Sequence, residues 1–496
     1  MARILTVPEP VADPAAVEVA ANEWVALPEI TPAGCLSLNV LHEGRRGLVE
    51  FHGAPLLHCH GQGRYILPPG FRGLVCDGPR WQGSFGEAGL ALFSRRPLGA
   101  PERVYFQPFT QALVWEVEGV AAMAVRGRNL RVDGRSWEAD GPVFVGVAPE
   151  GDGAGCVAVD LERHGAAALA AAQDAEDGRL RAASGLGAGE LADLAFRNLL
   201  FCYRFAAGRA LDTGEWCLVT SRSPRYYVAA AHWSRDSLLW ALPAIRAVDP
   251  ERARLWVEVA LRRYARHPGE HALYLNGEVL YPGFELDEAA ALVLAARSAG
   301  LAGPSLAPWR DEATGLYRTF LLPSDDPAQM PFVTYDNALV WAATGDAQLA
   351  GAIRRHCIVS GPFGPQFAWA VDGAGGHVLY DEPPGSLELL SHYGFCQPDD
   401  PVYRNTVAWI HSPENPDHIA GSPFGDVGCP HAPYPWVLTL ANRLLAGHAP
   451  AAFPEMDGGL ACESVDPVSG RAKTGPAFAT AAGFFGYALL RHLQMH

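Results

Sequence analysis

The sequence predicts a mainly α-helical protein that opens with a β-rich segment, and three observations carry that expectation. From residue 1 to about 157, apolar residues come in short β-favouring runs separated by turn residues. From Glu190 onward they recur at helical spacing, and this continues almost to the C-terminus. Between the helical stretches lie long loops rich in Gly, Pro, Asp and His, such as 268–283 and 412–433, and long polar loops between helices are where binding surfaces are usually built.

Along the chain, Arg103-Val104-Tyr105-Phe106-Gln107, Ala112 to Val117, Val120 to Leu130 and Pro142 to Val147 read as short strands with turns such as Asp133-Gly134 between them. An antiparallel β-sandwich-like domain over 1–157 is the natural solution for such runs. The Ala-rich stretch Leu161 to Ala183 predicts a helix within a linker spanning 158–188. A helical domain then covers 189–496. Leu191, Leu194, Leu199 and Phe205 open it, and helices are expected near 233–247, 250–266, 284–299, 333–344, 347–358, 384–394, 401–411, 434–446 and 475–494. About ten helices over this length fit a toroid of paired helices, although periodicity alone says only that the region is mostly α.

Composition narrows the function classes. The chain has 496 residues, 49% of them hydrophobic, enough to bury a large core. Its 38 Lys and Arg against 54 Asp and Glu give a net charge of −16. No basic run is present to neutralise phosphates, so nucleic acid is not an expected partner. The ten cysteines, from Cys35 to Cys462, include no C-x-x-C pair, which argues against a disulfide framework or a thiolate zinc site. The N-terminus shows no long apolar core of a signal peptide, and no apolar run is long enough to span a bilayer. A cytoplasmic protein with no membrane partner and no cofactor is therefore expected. His58-Cys59-His60, Asp325-Asp326 and Asp399-Asp400 were weighed as metal ligands. None has partners at a recognisable spacing, so no metal is expected.

Six segments, in order, resemble glycoside hydrolase family 125. His232-Trp233-Ser234-Arg235-Asp236-Ser237 resembles the family's W-x-R-D-S, and Glu285-Leu286-Asp287 its E-L-D-S. Leu322-Pro323-Ser324-Asp325-Asp326 followed by Pro331-Phe332 resembles R-P-S-D-D … F, and Ala370-Val371-Asp372-Gly373-Ala374-Gly375 resembles E-V-D-G-x-G. Ser412-Pro413-Glu414-Asn415-Pro416 followed by Gly428-Cys429-Pro430-His431 resembles S-x-x-N-P … G-G-P-H. Cys462-Glu463-Ser464 stands where the family has H-E-S. The matches cover roughly 230–490, and the N-terminal segment has none. The resemblance implies an (α/α)6 barrel and metal-independent, inverting, exo-acting hydrolysis of a small α-linked oligosaccharide or glycoside, with an α-mannoside first. The sequence departs from the family at Glu288, Leu322 and Cys462, and at Tyr380-Asp381-Glu382-Pro383, which replaces M-D-D-A. These departures bear on the exact sugar.

An inverting glycosidase needs a protonated carboxylic acid at the leaving oxygen and an ionised carboxylate that activates water on the opposite face. The resemblance assigns these roles to Asp287 and Glu463. Asp287 has apolar neighbours that favour its protonated form, while Glu285 and Glu288 are competitors that spacing does not separate from it. Asp236 is a further substitute for the acid. Glu463 follows Gly458-Gly459 in a loop able to project it. Arg235 with Asp236 is expected to grip sugar hydroxyls. Asn415 and His431 are expected to donate to sugar oxygens, and Trp233, Tyr335, Trp369 and Trp436 to stack on a sugar face. Each of these also has a plain structural alternative as an ion pair, a loop-fixing hydrogen bonder or a core ring. The rival functions are an inverting α-glucosidase, a phosphorylase using Arg471 and Lys473, and a non-catalytic carbohydrate-binding protein.

Overall fold

The computed structural model describes residues 166–210 and 231–495 continuously, residues 213–223, 226 and 228 between them, and upstream only short segments, chiefly strands, between 20 and 160. The expected strands at 103–107 and 112–117, and His58-Cys59-His60, lie outside the described residues. The chain divides into two compact units, Met1–Gly185 with Leu200–Ala231, and Leu186–Leu199 with His232–His496.

In the first unit every described strand pairing between named strands is antiparallel. The largest sheet places Met123–Gly127, Gly155–Asp160, Phe144–Pro149 and Ser136–Glu138 in that order. Helix α1, Ala166–Ser184, packs against it.

The second unit is mainly helical and begins within α2, Glu190–Phe205. Its helices are α3 (Leu242–Val248), α4 (Pro250–Arg263), α5 (Leu286–Ser298), α6 (Thr334–Thr344), α7 (Ala347–His356), α8 (Pro401–Ile410), α9 (Val437–Leu445) and α10 (Ala479–Met495). Their starts follow local chemistry. Asp249, Asp346 and Asp400 cap α4, α7 and α8 by accepting backbone N–H bonds, and Pro250 and Pro401 fill first-turn positions that need no donor.

Packing closes one set of elements into a ring. The turn Asp236–Ala241 that leads into α3 packs on α5, α5 on α6, and α6 on the turn Leu387–Leu390. That turn packs on α9, α9 on α10, and α10 returns to Asp236–Ala241. Helices α4, α7 and α8 lie outside it, against α3 and α5, α6, and Leu387–Leu390 respectively. Helix α10 is almost wholly buried and apolar. Gly486 lets α2 approach it, because a Cβ there would lie 2.9 Å from the Leu199 nitrogen and 3.1 Å from the Ala195 oxygen.

The first turns of the ring elements converge. Asp236, Asp287 and Asp336 each stand in the opening turn of their element, and Thr480 in the first turn of α10 donates to Asp236 at 3.1 Å. The Val437 amide, first in α9, donates to the Glu463 carbonyl at 3.1 Å. Carboxylates therefore gather at the positive ends of helices, where backbone dipoles favour them.

Three expectations need correction. The helix expected at 233–247 is a π-helical turn, Asp236–Ala241, in which the Leu242 N–H reaches back to the Ser237 carbonyl, followed by α3. Such widened turns recur at functional sites. The helix expected at 384–394 is two short 3₁₀ turns, Pro383–Gly385 and Leu387–Leu390, separated by Ser386, whose extended backbone (φ −61°, ψ 139°) interrupts the helical path. The loop expected at 268–283 contains a hairpin, Glu270–Leu273 with Val279–Phe284, turned at Asn276-Gly277.

Candidate active site

Arg235 is the hub of the site. Its Nη1 donates to Glu285 Oε2 at 2.7 Å and to Asp287 Oδ2 at 3.1 Å, and its Nη2 donates to Asp325 Oδ1 at 2.7 Å. Glu288 Oε1 stands 3.9 Å from Nη2 and Asp236 Oδ1 3.7 Å from Nε. Arg235, Asp236, Glu285, Asp287 and Glu288 are all buried. Asp325 reaches the guanidinium from a turn in which it holds φ at 71°, a left-handed conformation rare outside glycine. Glu285 also contacts His271 Nδ1, and Glu288 accepts the Ser234 backbone N–H.

One cation among five carboxylates, most of them dry, cannot keep all five ionised. Burial pushes the Asp287 carboxyl up, against the pull of Arg235. Burial likewise holds Glu285 and Glu288 well above the carboxylate range, again opposed by Arg235. Asp236 is pushed up to about 7 by burial, with Arg235 opposing. Burial works against the charge on Arg235 itself, yet Asp287, Glu285, Asp325 and Glu288 together hold its pKa above the usual arginine value. The cluster retains protons at neutral pH and titrates as a group. Among the three competitors for the acid, Glu285 has donors on both oxygens, from His271 and Arg235, and Glu288 is tied to a backbone amide. Asp287 meets Arg235 through one oxygen at the longer distance of 3.1 Å.

Glu463 occupies a different setting. Its backbone is pinned on both sides, the amide donating to the Gly475 carbonyl and the carbonyl accepting from Val437, each at 3.1 Å. Its side chain is buried except at one edge, where His431 Nε2 stands 4.0 Å from Oε1. His431 Nδ1 lies 3.9 Å from Asp326 Oδ2. The two sites therefore flank one turn: Asp325 touches Arg235 on the Asp287 side, and its chain neighbour Asp326 faces His431 on the Glu463 side. Glu382 fixes that turn by accepting from the Ser324 amide at 2.7 Å and the Ser324 hydroxyl at 2.8 Å.

The remaining expected residues fall into place less directly. Arg235 bonds three carboxylates through Nη1 and Nη2, so it organises the cluster. Asp236 pairs with Thr480. Asn415 fixes its own loop: Nδ2 donates to the Ile410 carbonyl at 2.9 Å and Oδ1 accepts from the Asp417 amide at 3.0 Å. Trp233, Tyr335, Trp369 and Trp436 are buried, so their rings pack into the protein. Trp233 meets His271 edge-on at 5.6 Å and Tyr335 meets Tyr393 edge-on at 6.2 Å.

Sequence reasoning missed His271, Asp336 and the part played by Glu382. His271 was hidden because its hairpin was read as loop, although Asn276-Gly277 is a strong hairpin signal. Asp336 is buried with no hydrogen-bond partner for either carboxylate oxygen among the described residues. Burial, with Asp287, Glu382 and Glu285 nearby, holds it well above the carboxylate range. His271, Glu285 and Asp325 bring ligand atoms within 4.8 Å of one another, as a metal site would. The Arg235 guanidinium already bonds the same two carboxylates and supplies the positive charge there.

Residues 341–486 match the family model described as Metal-independent alpha-mannosidase (GH125), a stretch that holds Asn415, His431 and Glu463 but not Arg235 or Asp287. The Meiotically up-regulated gene 157 protein of Schizosaccharomyces pombe (strain 972 / ATCC 24843) is 33% identical over 176 residues, which are 32% of this chain and 33% of that protein. The match thus spans about a third of the length of this curated relative. A solved structure from a family of metal-independent alpha mannosidases, the Streptococcus pneumoniae protein in a non-productive complex with alpha-1,6-mannobiose, superposes with a TM-score of 0.50 at 18% identity. It covers 66% of this chain and 98% of that one, a likeness of fold. A bacterial glucoamylase complexed with acarbose gives a TM-score of 0.44 at 12% identity over 85% of this chain and 83% of that one. Among the described residues no helix is long and apolar enough to cross a membrane.

Proposed function

We propose that this distant member of glycoside hydrolase family 125 is an inverting, exo-acting hydrolase of α-linked sugars, acting first on α-mannosides. The helical ring is read as an (α/α)6 barrel, carried by a catalytic domain over 189–496. A single observation carries the reading. A buried carboxyl of raised pKa, Asp287, and a second carboxylate of different environment, Glu463, flank the Asp325–Asp326 turn of one ring.

Two carboxyl groups in unlike settings are what acid and base roles require. Asp287 keeps its proton because burial disfavours its anion, and it gives that proton to the leaving oxygen as the glycosidic bond breaks. Glu463 takes a proton from water on the opposite face as the oxygen attacks the anomeric carbon. An inverting pair stands ~6.5–9.5 Å apart to leave room for that water. Arg235 holds the Asp287 carboxyl in place through Nη1, and Glu285, which also contacts His271, shares that nitrogen. A cytoplasmic setting accords with Cys357, Cys396, Cys429 and Cys462 as buried free thiols.

The test is hydrolysis of a panel of α-mannosides and α-glucosides with the released anomer followed by NMR. Release of the β-anomer from an α-mannoside is the expected result. Turnover of glucosides alone would move the substrate, and release of the α-anomer would overturn the inverting mechanism.

A further inference from the structure

His431 stands between two carboxylates, with Glu463 Oε1 4.0 Å from Nε2 and Asp326 Oδ2 3.9 Å from Nδ1, an arrangement that a simple sugar ligand does not need. We propose that His431 is a positioning residue for the base, orienting Glu463 and carrying its proton to Asp326 and so to solvent. The proposal rests on Glu463 as the base.

Exposure gives the path a direction. The Glu463 side chain is 5% exposed, that of His431 30% and that of Asp326 44%, so each step moves toward water. The ring is held for this task. Cys429 and Ala432 bridge across a tight turn that presents His431, and Trp436 Nε1 donates to the Ala432 carbonyl at 2.9 Å. Trp436 also bridges to Ser464, the residue after Glu463, so the turn and the Glu463 loop share one anchor. At the far end Asp326 Oδ2 lies 3.4 Å from Ser324 Oγ, whose hydroxyl is held by Glu382. Gaps of 3.9 and 4.0 Å suit a bridging water, or contacts that tighten when substrate binds.

The proton balance closes. Water gives its oxygen to the anomeric carbon and one proton to Glu463, while Asp287 protonates the departing oxygen. A neutral imidazole offers one N–H and one lone pair. The protonated Glu463 gives its proton to Nε2, the Nδ1 proton passes to Asp326, and Asp326 loses it to solvent. Glu463 is again a carboxylate, the part-exposed ring regains its starting tautomer by exchange with water, and Asp287 takes back a proton from solvent once the leaving group has departed.

The experiment compares His431→Asn and Asp326→Asn with wild type on an α-mannoside that the wild type turns over. General acid–base participation is worth on the order of 10²–10⁴-fold, and a relay behind the base is expected to cost His431→Asn about tenfold in kcat with KM within about twofold. Added imidazole should recover part of that loss, and Asp326→Asn should lower kcat about threefold. An unchanged kcat in His431→Asn, or a loss confined to KM without imidazole rescue, would overturn the relay. If His431→Asn is insoluble, the exposed Asp326→Asn decides, and an unchanged kcat and solvent isotope effect would then sink the proposal. A wild type inert on every glycoside would bring down both the hydrolase reading and the relay. An active wild type with an unimpaired His431→Asn would bring down the relay alone.

Discussion

The two sides of the site are built on opposite electrostatic plans. Around Asp287, five carboxylates share one guanidinium in a dry pocket, and burial keeps protons on the cluster. Near Glu463 stands His431, and beyond it the more exposed Asp326. On the proposed roles, this difference lets two groups of the same chemistry serve as acid and base. Crowding and desolvation favour the protonated form on the first side, and a part-exposed histidine leads toward solvent on the second.

The largest expected effect separates the two sides by leaving group. Asp287→Asn and Glu463→Gln should each lower kcat on the order of 10²–10⁴-fold on an unactivated α-mannoside. With an aryl leaving group that needs no proton, Asp287→Asn should recover much of its rate and Glu463→Gln should not. Equal recovery in both, measured as kcat/KM across leaving groups, would break the comparison.

Stability should divide the sides as well. Removing the cation in Arg235→Met leaves buried carboxylates without their partner and should cost about 3–5 kcal/mol in denaturant unfolding. His431→Asn, at the open edge, should stay within about 0.5 kcal/mol of wild type. Comparable losses would mean that the base side is as tightly integrated as the acid side.

The smallest effect is in the pH dependence of melting. Asp236, raised to about 7 from 3.8, retains a proton when folded that the unfolded chain gives up across that interval. The folded state binds more protons there, so this group makes stability fall as pH rises through the window. Asp236→Asn should therefore flatten the drop in Tm between about pH 5 and about pH 8, measured by calorimetry. An unchanged slope would mean that Asp236 is ionised throughout.

Legibility in the sequence followed how local the determining physics was. Helices α4, α7 and α8 could be read because each begins with a capping aspartate, two of them with a following proline. The π-helical turn at Asp236 was not, since its register depends on contacts with Thr480 and Arg235 made by distant parts of the chain. Asp287 and Glu463 stand out through motifs, but the ion pairs of Arg235 do not. Its partners Glu285 and Asp325 lie 50 and 90 residues away, and no local pattern shows that they engage its guanidinium. The aromatic residues expected to stack on sugar proved buried because composition marks a ring without saying which way it faces.

The convergence of first turns has a consequence for how such a site can change. Peptide dipoles aimed at one cavity set up a standing electric field whose source is main chain, and main chain is not encoded by any one codon. Mutation can exchange the side chains around the cluster while the field that steadies its charges is inherited with the topology. Side-chain chemistry can therefore drift cheaply in this architecture, and the electrostatic setting of the carboxylates changes only if the ring itself is rebuilt.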